Sequence, residues 1–188
     1  DDLVTGVQTC ALPIFKDFDS VLEIISKEFP EVSDGSVEFE SGLNNMLNSD
    51  YGALTIRYAT ALISTGRGDD AEAMINNICS YYDVDSYTTK ISERDEDQLN
   101  NAAICAALRG DKEEYLLNMK ELFYGKNNKL GWPNYFITSS SFQLVKDDPD
   151  VQLFEKNVYS QIHEYRSEVI SWLKAMSEWQ EEWEEQEN

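Results

Sequence analysis

Three cysteines are the side chains best suited to covalent or metal chemistry in this 188-residue sequence. They stand at Cys10, Cys79 and Cys105, and their separations match neither the paired spacing of zinc sites nor that of redox motifs. A thiolate metal centre is therefore not predicted. Cys79 and Cys105 fall on consecutive predicted helices, and two interpretations stay open for them: a disulfide, or two buried free thiols.

Acidic side chains and the lone histidine form the second group that could support chemistry. Asp147, Asp148 and Asp150, followed by Glu155, resemble a loose oxygen cage for calcium. The cluster lacks the glycine and bidentate glutamate of a calcium loop, and helix capping explains the aspartates. His163 has no second imidazole and no identified catalytic partner. We predict no metal, no cofactor and no catalytic residue, and hence a protein that is not an enzyme.

The charge of the chain limits its partners. There are 15 lysines and arginines against 36 aspartates and glutamates, which gives a formal charge of −21. A nucleic-acid backbone or an anionic membrane would be repelled by most of such a surface. No apolar run approaches the roughly 18 residues that a membrane-spanning helix requires. We therefore expect a protein or peptide partner, and the compartment stays open between cytoplasm and periplasm.

One helix–turn–helix pattern occurs twice between Tyr51 and Phe123. The first copy comprises Thr55, Ala59, Leu62, Gly66, Ala71, Ile75 and Ile78; the second, forty-four residues later, comprises Leu99, Ala103, Ala106, Gly110, Tyr115, Met119 and Leu122. Spacings of three and four put each set on one helix face, and the glycine marks the reversal. The pattern predicts helices near 51–65, 69–82, 96–109 and 111–124, with Asp69 and Asp95 as N-caps.

The N-terminal region divides into two segments. Residues 4–14, VTGVQTCALPI, look like the translation of a common sequencing adapter, so we expect 1–14 to be a non-native segment and the true start of the protein to be missing. Finding these codons within an intact gene would exclude that interpretation. Residues 15–48 read as a partial repeat, with a helix from about Lys16 to Phe29 that Pro30 stops, and then a loop from Glu31 to Gly42.

The C-terminal region, 126–188, reads as an aromatic loop followed by a long capping helix. Phe142, Leu144 and Val145 fit either a short strand or a helical turn. Asp148 and Pro149 form a strong helix start, since the carboxylate caps and the proline is fixed near the helical φ. Apolar residues then recur every three or four positions, which predicts one helix of about 35 residues. Its acidic end is expected to fray.

Several stretches together resemble the tetratricopeptide repeat region of proteobacterial multidomain regulators. They are the Phe29-Pro30 helix end, the turns TGRGDDAEA and ALRGDKEEYL, the Gly131-Trp132 pair, and DDPDVQLF at Asp147 to Phe154. The resemblance implies an all-α solenoid of antiparallel helix pairs with a C-terminal cap. It also implies a sensory or scaffolding module beside a missing effector such as a winged-helix regulator, a kinase or an adenylate cyclase. Tyr115, where the family usually has alanine, departs from the pattern, as does the Trp-rich tail.

Two surfaces are candidate binding sites. In stacked repeats the first helix of each pair lines the concave side, and the residues expected there are Ile56, Thr60, Ile63, Asn100 and Ile104. They offer no cation to clamp a peptide carboxylate, and packing between helices is the simpler interpretation. The other surface is the tail, where Trp172, Met176, Trp179 and Trp183 favour self-association or docking to a basic partner. A tail that is folded back or disordered is the alternative.

The sequence thus predicts a non-catalytic protein-interaction or sensory module, the repeat tail of a larger signalling protein. A second hypothesis is a small-molecule sensor domain that controls the missing effector. In that case an aromatic group would hold the ligand, consisting of Trp132, Tyr135, Phe136 and Phe142.

Overall fold

The computed structural model describes residues 17–37, 50–84, 90–125 and 140–186, with side chains described up to residue 174. Every regular element in these ranges is helical, which confirms the all-α prediction. The strand alternative for 142–145 is wrong, because Ser141–Leu144 forms a 3₁₀ turn. The predicted adapter segment, including Cys10, lies outside the described residues.

The described residues contain seven α-helices. They are α1 Phe18–Glu28, α2 Pro30–Ser33, α3 Asp50–Ser64, α4 Gly68–Tyr81, α5 Glu96–Leu108, α6 Lys112–Tyr124 and α7 Pro149–Gln186. Short 3₁₀ turns occur at Ile91–Glu93 and Ser141–Leu144. The four helices predicted between Tyr51 and Phe123 are confirmed to within one or two residues.

The predicted helix end before Pro30 is confirmed, but the prediction of a loop from Glu31 onward is wrong in its first residues. The N–H of Phe29 closes α1 by donating to the carbonyl of Ile25 at 2.9 Å, and Pro30 then begins α2. Proline suits a first helical position, where its missing N–H would have no intrahelical acceptor. The extra turn fully buries Val32, so this part of the predicted loop belongs to the core.

The two helix pairs, α3–α4 and α5–α6, reverse through the same turn. Gly66 and Gly110 have φ of 80° and 74°, the left-handed region that other residues rarely adopt. In each turn the residue after the glycine donates its N–H to a carbonyl five residues earlier at 2.8 Å: Arg67 to Leu62, and Asp111 to Ala106. These bonds satisfy carbonyls at the helix end. The repeated sequence therefore produces a repeated backbone structure.

Of the two aspartates predicted to cap helices within the pairs, Asp95 and Asp69, only Asp95 is a cap. The Asp95 carboxylate accepts a hydrogen bond from the Gln98 N–H at 2.9 Å, and the Gln98 side chain accepts one from the Asp95 N–H at 3.1 Å. This capping box confirms Asp95 as an N-cap. Asp69 is not a cap, because α4 begins at Gly68 with Arg67 in the cap position. Asp69 instead lies in the first turn, where its charge complements the helix dipole.

Helix α5 lies between two clusters of buried side chains, and ten of its thirteen residues are buried. Ile104, Cys105 and Leu108 belong to the cluster formed with α1 to α4, whereas Leu99 and Ala103 belong to the cluster formed with α6 and α7. Alanines allow neighbouring helices to approach closely, so a single helix can pack on both sides. Helix α5 therefore contributes buried side chains to both clusters.

Helix α7 is a single helix of 38 residues, about 57 Å long at about 1.5 Å per residue, in agreement with the predicted long helix. Asp148 caps it by accepting hydrogen bonds from the N–H groups of Asp150 and Val151 at 3.0 and 3.3 Å. Its first half packs into the second cluster through Val151, Phe154, Val158 and Ile162. Every described side chain beyond Ile162 is exposed.

Candidate functional site

The structure joins Cys79 and Cys105 in a disulfide that links α4 to α5. Their Cα atoms are 6.0 Å apart, which suits such a bond, and both residues are almost completely buried. Of the two interpretations that the sequence left open, the structure has the disulfide. The two cysteines therefore connect the helix pairs covalently and are not candidate nucleophiles.

The predicted concave face is buried. Ile56, Thr60, Asn100 and Ile104 are each at most 1% exposed, and Ile63 is partly buried. Four of the five residues predicted to contact a partner are thus enclosed by the protein itself. Ile56, Asn100 and Ile104 contribute to packing and offer no open binding surface. Thr60 is equally buried from solvent but borders the cavity described below.

A segment of the same chain explains this burial. The 3₁₀ turn Ser141–Leu144 packs against both α3 and α5, the first helices of the two pairs. Phe142 enters the second core cluster, while Leu144 contacts the first. The turn therefore covers the face that the repeat pattern leaves open. The apolar residues of 142–145 were a signal for this contact, but their position in the sequence did not say which helices they would meet.

Beside this turn lies a cavity of about 240 Å³ between α1 and α3. Its walls are mainly apolar and include Phe18, Val21 and Ile25 from α1 and Leu54 from α3. Phe18, Val21 and Ile25 follow the helical spacing of three and four residues, so they share one face of α1. The sequence predicted a helix here, but did not indicate that one of its faces borders a cavity.

Four polar residues also line the cavity: Arg57, Thr60, Ser140 and Gln143. Arg57 and Thr60 are three residues apart on α3 and thus face the same side of the helix. Within the described residues the Thr60 hydroxyl is buried without a hydrogen-bond partner. Arg57 is exposed and forms no ion pair or hydrogen bond there. Thr60 was predicted to lie on an open concave face, and Arg57 was not predicted to lie in any site.

The aromatic group of the small-molecule hypothesis is only partly described. Trp132, Tyr135 and Phe136 lie outside the described residues. Phe142 is buried in the second core cluster, while its neighbours Ser140 and Gln143 reach the cavity. The cavity is therefore adjacent to the predicted position and has a different lining.

The acidic cluster at the start of α7 has a structural role. The Lys112 ammonium donates a hydrogen bond to the Asp148 carboxylate at 2.8 Å and lowers the pKa of that group. The same contact raises the pKa of Lys112. Within the described ranges, no three side chains of the metal-ligating types come together. Asp148 instead ties α6 to the start of α7.

Two other titratable groups on α7 have shifted pKa values. Burial raises the pKa of Glu155, and burial together with the Glu155 charge raises the pKa of Tyr159. The two residues are one helical turn apart, and neither lines the cavity. His163 is exposed on the same helix. These groups do not form an acid–base pair within a cleft.

The outer half of α7 carries an exposed apolar stripe. Tyr165, Val169 and Trp172 follow at spacings of four and three residues, and Tyr165 and Trp172 are more than 60% exposed. Ile170 and Leu173 are exposed beside them. Met176, Trp179 and Trp183 continue the same spacing on the helix, but their side chains lie outside the described part of the chain.

No helix in the described ranges is both long enough and apolar enough to cross a membrane. Comparison with protein-family models, with curated proteins and with solved structures finds no match to this chain.

Proposed function

We propose that this chain is a non-catalytic protein-interaction module, a tetratricopeptide-like stack of helix pairs whose contact surface is the outer half of α7. The carrying observation is the exposed apolar stripe of Tyr165, Val169 and Trp172 on a helix whose inner half is anchored in the core. Large exposed apolar side chains in a continuous row are typical of protein contact sites. The turn sequences that resemble tetratricopeptide repeats also support a module of a larger signalling protein.

The stripe has the spacing of a coiled-coil seam. From Val158 onward the apolar positions are 158, 162, 165, 169, 172, 176, 179 and 183, which alternate steps of four and three residues. Such a seam packs against another helix with the same repeat. The first two positions are used within the protein, whereas Tyr165, Val169 and Trp172 are exposed.

The partner that fits this seam best is a second copy of the chain. Residues that flank the seam face each other in a parallel pair, with Gln161 opposite Arg166, Glu168 opposite Leu173, and Ala175 opposite Gln180. Only the next pair in the same register, Glu182 opposite Glu187 at the end of the chain, brings like charges together. Most of the glutamates near the end of the helix fall at positions away from the seam. Self-association is thus compatible with the large negative charge.

Adjacent exposed residues provide a matched test. Val169 is on the seam, whereas the neighbouring Ile170 is off it, and both are β-branched. In sedimentation equilibrium of the full chain, we expect Val169→Ser to weaken dimerisation by roughly tenfold or more, since burying an apolar side chain contributes about 1.5–3 kcal/mol and every 1.4 kcal/mol is about tenfold. Ile170→Ser should leave dimerisation unchanged. A monomeric wild type, or equal effects of the two substitutions, would contradict the proposal.

A second function, small-molecule sensing, is favoured by the cavity between α1 and α3. Its apolar walls and few polar groups are the usual composition of a ligand site. Saturable thermal stabilisation of the purified chain by a metabolite extract would support this function. An extract that leaves the melting temperature unchanged at every dilution would oppose it.

A further inference from the structure

The volume of the cavity limits what it can hold. It measures about 240 Å³. An engineered apolar cavity of about 150 Å³ accepts benzene, and sites for drug-sized ligands commonly exceed about 300 Å³. An occupant of this cavity is therefore a small molecule with one ring or a short alkyl chain.

The charge around the cavity selects the head group of that molecule. The chain has 36 acidic residues, yet among the described side chains that line the cavity none is acidic and one, Arg57, is a cation. A cationic ligand would find no counter-ion among those side chains. The guanidinium of Arg57 can donate two parallel hydrogen bonds to a carboxylate. Among the described residues it forms no ion pair that an anion would have to displace.

Thr60 provides a second donor at the same place. It lies three residues after Arg57 on α3, so the two side chains border the same part of the cavity. A buried hydroxyl without a partner is unfavourable by about 1–3 kcal/mol, a cost that a ligand oxygen would remove. A carboxylate can accept from both residues, because it has two oxygens.

From these observations we infer that the cavity binds a short aliphatic carboxylate. Arg57 and Thr60 hold the carboxylate, and the alkyl chain lies against Phe18, Val21, Ile25 and Leu54. This inference rests on the second proposed function, small-molecule sensing, and gives its ligand class. It is independent of association through α7.

The test compares two ligands that differ only in the head group. Hexanoate and hexan-1-ol are titrated into the full-length chain, and binding is followed by isothermal titration calorimetry. We expect hexanoate to bind roughly tenfold more tightly than hexan-1-ol, which corresponds to about 1.4 kcal/mol. Arg57→Gln should abolish this preference by weakening hexanoate alone. Arg67→Gln is the matched control, since it removes the same charge from an exposed arginine that pairs with Asp70.

Two further variants test the site itself. Thr60→Val keeps the shape of the side chain and should weaken hexanoate several-fold. Ile24 is exposed and lines the cavity, so Ile24→Trp should obstruct the cavity and abolish binding of both ligands without disturbing the core.

Three results would overturn the inference. They are equal affinity of the wild type for the two ligands, absence of hexanoate binding, and undiminished binding to Ile24→Trp. The metabolite-extract experiment reports separately on small-molecule sensing. If an extract stabilises the chain while hexanoate does not bind, the ligand class is wrong and sensing is retained.

Discussion

We predict that the Cys79–Cys105 disulfide contributes strongly to the free energy of unfolding. Each cysteine belongs to a different helix pair, and the bond closes a loop with a sequence separation of 26. Breaking the bond, by reduction or by a Cys79→Ala/Cys105→Ala double substitution, leaves the folded contacts of the helices largely in place. It mainly increases the conformational freedom of the unfolded chain.

The magnitude follows from the length of the closed loop. In the chain-entropy relation, a separation of 26 corresponds to about 3.5 kcal/mol of unfolding free energy at 25 °C. Typical domains have only about 5–15 kcal/mol in total, so the bond would supply a substantial share. With a urea dependence of about 2 kcal/mol per molar, losing the bond should lower the unfolding midpoint by about 1.7 M.

The assay is urea unfolding followed by far-UV circular dichroism, with and without a phosphine reductant. A Cys10→Ser background excludes thiol exchange with the third cysteine. The double alanine variant should show the reduced midpoint under both conditions. The difference between the urea midpoints of the double alanine variant and of the reduced wild type gives the effect of removing two buried sulfur atoms.

Thiol titration of the denatured, unreduced full-length chain gives an independent result. We expect one reactive thiol, that of Cys10, from the three cysteines in the sequence. Three reactive thiols would refute the reasoning, and so would a midpoint that the reductant does not shift.

Three further predictions concern turns, caps and pH. Gly66→Ala and Gly110→Ala should each lower the unfolding free energy by about 1–2 kcal/mol in urea titrations, because both glycines have a positive φ. No atom obstructs a new Cβ at either position, so the loss would come from the backbone alone. Gly68→Ala is the control and should not be destabilising, because the φ of Gly68 is not positive. Asp95→Ala should lower the unfolding free energy by about 1 kcal/mol, whereas Asp69→Ala should have little effect, and equal losses would contradict the assigned caps. Lys112 lowers the pKa of Asp148 below 3.8, so this contact should stabilise the fold at neutral pH and be lost as the pH falls through the folded-state pKa. In Asp148→Asn the melting temperature should therefore fall less steeply as the pH is lowered.

Local sequence patterns predicted most of the helices because the responsible interactions lie within a few residues. The offsets shared by Gly66 and Gly110 led to two turns with the same hydrogen bonds. Asp95 and Asp148 were recognised as caps because a cap acts on the residues that follow it directly. The error at Asp69 was a shift of the helix start, and one residue of shift is enough to move a side chain from the cap into the first turn.

The candidate site was harder to predict because it depends on contacts between distant parts of the chain. Thr60 was assigned to an open face, but the turn at Ser141–Leu144 packs over that face. Phe18 and Ser140 meet at the same cavity although α3 to α6 lie between them in the sequence. Periodicity identifies which face of a helix is apolar and does not identify which segment covers it.

The continuity of α7 links its two halves mechanically. Phe154, in the inner half, packs edge-on against Phe123 and Tyr124, with ring centroids 6.0 and 5.7 Å apart. Phe154 and Trp172 lie on one unbroken helix. We therefore expect a partner that binds the outer half to alter the surroundings of these aromatic rings without touching them.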